Sequence, residues 1–157
     1  MIRKYYLWIK EKLMNVRIPK DENIRIANSS DIVRIMRRIL LRQTRLHRKK
    51  EYFWSIGLNT NNDIEYIELL AIGTLNKNNV DPVEVFNFAV AKKCKKIILC
   101  HNHPSGNTAS SITDYELTKA IMLGEKVLKM EILDHIIICE AKTYTSIFES
   151  KDFEMTT

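Results

Sequence analysis

The sequence predicts an α/β domain: a mixed sheet with helices against its faces, in the order ββαβαββ after an N-terminal helix. Three observations carry this. Two runs rich in aromatic and β-branched residues, 51–58 and 64–72, flank a cluster of turn residues. A short apolar run, 97–103, has the character of a strand buried on both faces. Helix start signals stand before and after it, and such alternation of strand and helix builds layered α/β folds. The chain has 157 residues, 45% hydrophobic and 28% charged, with four Gly and three Pro, which suits one domain with a sizeable core.

Each element has a local reason. Ser29-Ser30-Asp31 offers an N-cap and a first-turn acid. Ile32, Ile35, Met36, Ile39 and Leu46 then recur at helical spacing, with Arg34, Arg38, Arg42, Arg45 and Lys49 elsewhere, so an amphipathic helix is expected over 30–47. Glu51–Leu58 and Ile64–Ile72 form a hairpin through the turn-rich Asn59–Asp63. At Asp81-Pro82-Val83-Glu84 the Asp caps, the Pro takes the first helical position and the Glu closes a capping box, starting a helix over 82–94. Ile97–His103 is the buried strand, stopped by Pro104-Ser105-Gly106. A helix is expected from Ser111 to about Gly124, and 131–139 and 143–148 read as closing strands.

Charge is unevenly distributed. Residues 1–50 hold 15 Lys and Arg against 4 Asp and Glu, a balance of +11, while the rest of the chain carries −5. A basic extension over 1–28 is expected to precede a domain over 29–157 with its core at 51–148. The basic third could meet the phosphate backbone of nucleic acid, although the ordinary role of such a helix face is solvation. Cys94, Cys100 and Cys139 are odd in number and widely spaced, as expected of reduced thiols in the cytoplasm. The apolar run at Tyr5–Ile9 is too short for a signal peptide or membrane span, so no membrane partner is expected.

The chemistry concentrates in His101-Asn-His-Pro-Ser-Gly-Asn-Thr-Ala-Ser-Ser-Ile-Thr-Asp114. Strand side chains alternate, so His101 and His103 share a face while Cys100 and Asn102 point the other way. The pair lies at the carboxyl end of a buried strand, where α/β sheets place ligands. Ser111 and Asp114 alone would read as one more helix cap. Together with the histidines, Asp114 brings the protein ligands to three, the number a catalytic zinc uses while leaving a fourth place for solvent. Ser111 can cap through its oxygen and still donate its own proton to a developing oxyanion. Asp134-His135 admits two readings, a pair supporting the site or a satisfied histidine near a strand, and the second is the commoner.

The spacing His101-x-His103-x7-Ser111-x2-Asp114, set in His-Asn-His-Pro-Ser-Gly, resembles the signature of the JAMM (JAB/MPN) metalloproteases, specifically their bacterial RadC-like branch. Gly73-Thr-Leu-Asn76, the Pro82-x-Glu84-Val85-Phe86 helix start and Leu133-Asp-His-Ile-Ile-Ile138 resemble the same branch, over about 51–148. The resemblance implies a three-layer α/β/α, cytidine-deaminase-like fold and a Zn2+ held by His101, His103 and Asp114. It also implies Ser111 as oxyanion donor, an upstream glutamate as general base, and hydrolysis of a peptide or isopeptide bond in a protein substrate. Sequence physics leaves Glu51, Glu65, Glu68 and Glu84 open as that base; by position Glu51 matches. The branch's DNA-repair name implies an alternative, an accessory module that binds nucleic acid through residues 1–50 and keeps a structural or vestigial metal site. Between Gly106 and Ser111 the branch usually carries prolines, whereas this chain has Asn107-Thr-Ala-Ser110, which predicts a looser loop.

Overall fold

The structure, a computed structural model, describes residues 16–154. The first fifteen residues of the expected basic extension, with the apolar run at Tyr5–Ile9, lie outside the described residues. Strands β1 (Tyr52–Leu58) and β2 (Ile64–Ile72) form the expected hairpin. Its turn is closed by Asn59, whose Oδ1 accepts the N–H groups of Asn61 at 2.9 Å and Asp63 at 3.0 Å, a self-capping device open to Asn and Asp. Strand β3 (Lys96–Asn102) pairs antiparallel with β1 and parallel with β4 (Glu131–Ile138), and β5 (Tyr144–Ser146) closes the edge antiparallel to β4. The sheet order is β2-β1-β3-β4-β5. All seven residues of β1 are buried, because this strand is flanked on both sides and covered on both faces.

Alternation along β1 and β3 supplies two cores. Helix α1 (Ser29–Leu41) lays Ile32, Ile35, Met36 and Ile39 on the face made by Trp54, Ile56, Ile98, Cys100 and Ile136. Helices α2 (Pro82–Ala91) and α3 (Ile112–Leu128) cover the opposite face, where Val85, Phe86, Leu117 and Ile121 meet Phe53, Ile97 and Leu99. The molecule is therefore the expected three-layer α/β/α domain with a five-stranded mixed sheet. Parallel strands need a crossover, and α3 provides it between β3 and β4. A short helix, α4 (Lys151–Glu154), follows β5 without having been predicted.

The boundaries differ where periodicity misled. Helix α1 starts on Asn28, which exchanges hydrogen bonds with Asp31 as a capping box, and stops at Leu41 instead of 47. Leu46, placed on its apolar stripe by spacing, is 70% exposed. Beyond Leu40 the chain leaves the sheet, and Thr44 Oγ1 accepts the His47 N–H to begin a separate 3-10 turn at His47–Lys49. Helix α2 stops at Ala91, with Lys93 at φ 57° reversing the chain. The Asp81 side chain accepts from Val83 N–H rather than from Glu84 N–H. Helix α3 runs past Gly124 to Leu128. A Cβ on Gly124 would lie 2.4 Å from Phe86 Cε2, so this glycine serves the close approach of α2 and α3, not helix termination.

Several charges of the basic third are engaged within the chain. Arg34 meets Glu22 and Asp31, Arg38 meets Asp21 and Glu22, and Arg48 reaches Glu140 at 3.1 Å. The three cysteines are free and buried. Among the described residues no helix is long and apolar enough to cross a membrane.

Candidate metal centre

His101 lies one residue before the end of β3 and His103 one residue past it. The His103 N–H bonds to Ile138 O at 2.9 Å, which keeps the backbone extended beyond the strand and returns the second imidazole to the side of the first. Gly106, at φ +84°, then turns the chain, its N–H closing onto His103 O at 3.1 Å. At the head of α3 the capping box is complete: Ser111 Oγ accepts the Asp114 N–H at 3.1 Å, and Asp114 Oδ2 accepts the Ser111 N–H at 2.8 Å. The capping reading of this pair is correct, and it is also what aims the carboxylate at the histidines.

The three groups converge. His101 Nε2 and His103 Nε2 are 3.1 Å apart, His101 Nε2 is 3.2 Å from Asp114 Oδ1, and His103 Nε2 is 3.4 Å from Asp114 Oδ2. Two atoms each ~2.0–2.1 Å from a shared tetrahedral centre stand about 3.3–3.4 Å from one another. The observed separations fit a single ion, and two imidazoles with one carboxylate form a donor set that zinc takes. His101 and Asp114 are buried, while the His103 side chain keeps 14% exposure on the open side.

The electrostatics are those of a cluster short of positive charge. Burial by itself would raise the Asp114 carboxyl, but the His101 and His103 imidazoles set against its two oxygens outweigh it and hold the group far below the usual carboxylate range. His103 is raised, first by its bond to Asp114, with Glu51 adding to the effect and partial burial opposing it. The His103 Nδ1 bonds to Asn107 O at 2.9 Å. That bond, Ala109 N–H to Asn107 Oδ1 at 3.0 Å and Thr145 Oγ1 to Thr108 Oγ1 at 3.1 Å hold the loop from which prolines are absent, so the expected looseness is answered by hydrogen bonding.

Behind His101 stand residues that sequence reading did not assign to the site. His135 Nε2 lies 2.8 Å from His101 Nδ1, and His135 Nδ1 lies 2.6 Å from Thr118 Oγ1, which donates to Asp114 O at 2.7 Å. Burial lowers His135 well below the ordinary imidazole value. Phe53 stacks on His101 and meets His135 edge-on, at centroid distances of 6.3 and 5.5 Å, which shields both rings from water. His135 is thus the satisfied histidine that sequence favoured, with His101 as one of its partners. No Asp134-His135 side-chain pair supports the site, because Asp134 points to the α1 side. There, with Ser29 and Ser146, it lines a separate cavity of about 280 Å³. One signal in the sequence pointed to this arrangement, the spacing of four between Asp114 and Thr118, which shares a helix face; the parallel pairing that sets His135 beside Leu99 comes from the fold.

Glu51 immediately precedes β1. The β1–β3 register ends at the Phe53–His101 pair, two residues from Glu51, and the Glu51 charge is felt at His103. Glu51 also has a structural partner, its Oε2 accepting the Leu75 N–H at 3.2 Å. Of the other glutamates, Glu65 is exposed and accepts from Asn59, Glu68 is buried opposite Ser55, and Glu84 lies in the first turn of α2.

Comparison with known proteins agrees with this geometry. The family model of the RadC-like JAB domain matches residues 26–152. A UPF0758 protein of Desulforudis audaxviator is 41% identical over 98 residues, 62% of this chain and 42% of that protein. Another from Caldanaerobacter subterraneus is 36% identical over 121 residues, 77% of this chain and 50% of its own length. One from Chlorobium phaeovibrioides is 34% identical over 126 residues, 80% of this chain and 54% of its own. The chain spans about half the length of these curated relatives. A strand-borne His-x-His facing a helix-capping Ser-x-x-Asp, in a domain matched across 26–152, places the chain in the RadC-like JAB domain family.

Proposed function

We propose that this chain is a zinc-dependent hydrolase of the JAMM type that cleaves a peptide or isopeptide bond. The observation that supports it most directly is the mutual 3.1–3.4 Å spacing of His101 Nε2, His103 Nε2 and the Asp114 carboxylate on a face with one open side. A zinc ion held by these three supplies a polarising charge and a water that ionises near pH ~7. Glu51, whose charge is felt at His103, is the proposed base that takes a proton from the attacking water and returns it to the leaving amine, and that charge effect supports the reading. The Ser111 hydroxyl accepts from Asp114 N–H through its oxygen, so its own hydrogen remains available to a carbonyl oxygen gaining charge. His101 and Asp114, both buried, hold their positions without reorganising as charge develops.

Metal analysis tests this reading. The purified wild-type chain should hold about one zinc per molecule, and His103→Ala and Asp114→Ala should lose it. Equal metal in wild type and His103→Ala would overturn the proposal.

A further inference from the structure

The contacts behind His101 have only one consistent placement of hydrogens. Asp114 O is a carbonyl and can only accept, so the single Thr118 hydroxyl proton lies in their 2.7 Å contact. Thr118 Oγ1 must then accept in its 2.6 Å contact with His135, which puts a hydrogen on His135 Nδ1. His135 has no exposure, and its ring partners are a hydroxyl and an imidazole, an environment that keeps it neutral. Its Nε2 is therefore bare and accepts from His101 Nδ1–H at 2.8 Å. The His101 Nε2 lone pair is left facing His103 and Asp114.

We propose that Thr118 and His135 are positioning residues that lock His101 in the Nδ1–H tautomer, so that its bare Nε2 is presented to a metal ion. The proposal deepens the zinc reading above and rests on it for its purpose. The chain closes on itself: Asp114 offers its carboxylate to the ion and, through its backbone carbonyl, anchors the relay that orients the neighbouring ligand. Ligand histidines commonly donate their second N–H to a carboxylate or carbonyl. His103 follows that pattern through Asn107 O, whereas His101 is held by a neutral imidazole and a threonine.

The test has two arms. In the metal-free wild-type protein, long-range proton–nitrogen NMR of the imidazoles should show His101 and His135 both as Nδ1–H tautomers. In zinc titrations against a chromophoric chelator, Thr118→Val should bind roughly 10–100-fold more weakly. Thr118→Ser, which keeps the hydroxyl, should restore affinity. A hydrogen on His101 Nε2, wild-type affinity in Thr118→Val, or no rescue by Thr118→Ser would each overturn the proposal. If Thr118→Val fails to fold, the wild-type spectrum decides. If the wild-type chain binds no zinc, the hydrolase reading falls, and the spectrum still decides the tautomer.

Discussion

The side chain of Asn102 brackets Glu51: its Oδ1 accepts the Tyr52 N–H at 2.7 Å, and its Nδ2 donates to the Lys50 carbonyl at 3.0 Å. The residue between the two histidines thus fixes, through the far side of its strand, the backbone that carries the proposed base. Asn102 is 1% exposed and its bond from Tyr52 is buried, whereas the bond to Lys50 is partly open to water. Asn102→Ala should cost about 1–3 kcal/mol of stability, because the buried Tyr52 N–H loses its partner while the Lys50 carbonyl can turn to water. Denaturant unfolding measures this; a loss under half a kcal/mol would show that the bracket is dispensable.

Glu51→Gln separates binding from chemistry. The amide oxygen can still accept from Leu75 N–H, so fold and zinc content should persist. Turnover of a quenched peptide library should fall by about 10²–10⁴-fold if Glu51 is the base. Undiminished turnover would assign the proton transfer to another group.

Ser111→Ala should act twice. The missing cap should lower stability by about 1 kcal/mol. The missing hydroxyl should also reduce turnover by about 10²–10³-fold, beyond what the small stability change explains. A variant that loses stability but keeps turnover would leave Ser111 as a cap alone.

The metal-free protein and its zinc affinity should respond to pH in opposite directions. Asp114 raises His103 above its ordinary value of 6.5. The stabilisation from protonated His103 is then fully present below the unfolded value and disappears as pH rises through the raised folded one. Melting curves of the metal-free wild type and His103→Gln should therefore converge as pH rises through this window. Zinc needs the unprotonated ring, so affinity should rise over the same window. Melting curves that diverge with rising pH would contradict the His103–Asp114 coupling.

Gly124→Ala improves helix propensity by ~1 kcal/mol in principle. Here the added methyl would meet Phe86 Cε2 at 2.4 Å, so the buried Phe86 ring must shift or α2 and α3 must move apart. The net expectation is destabilisation by about 1–2 kcal/mol. A stabilised variant in thermal denaturation would show that the helices yield easily.

The sequence by itself determined the layered α/β class, the hairpin limits at Ile64 and Ile72, the placement of His101 and His103 on one face, and the cap that Ser111 and Asp114 form. These are local matters, set by the two-residue alternation of strands and by helix-end hydrogen bonding, and they are legible wherever a pattern stays in register with its element. Where α1 stops, what Gly124 is for, and which groups stand behind His101 were decided by the tertiary structure. Each depends on a partner distant in sequence: the edge of a sheet, the ring of Phe86, the β3–β4 pairing that lets the His135 ring reach His101 at 2.8 Å. A helical stripe extends in sequence as far as its spacing holds, but it extends in space only as far as there is apolar surface to cover. A histidine, likewise, takes its tautomer from whatever the fold sets against its second nitrogen.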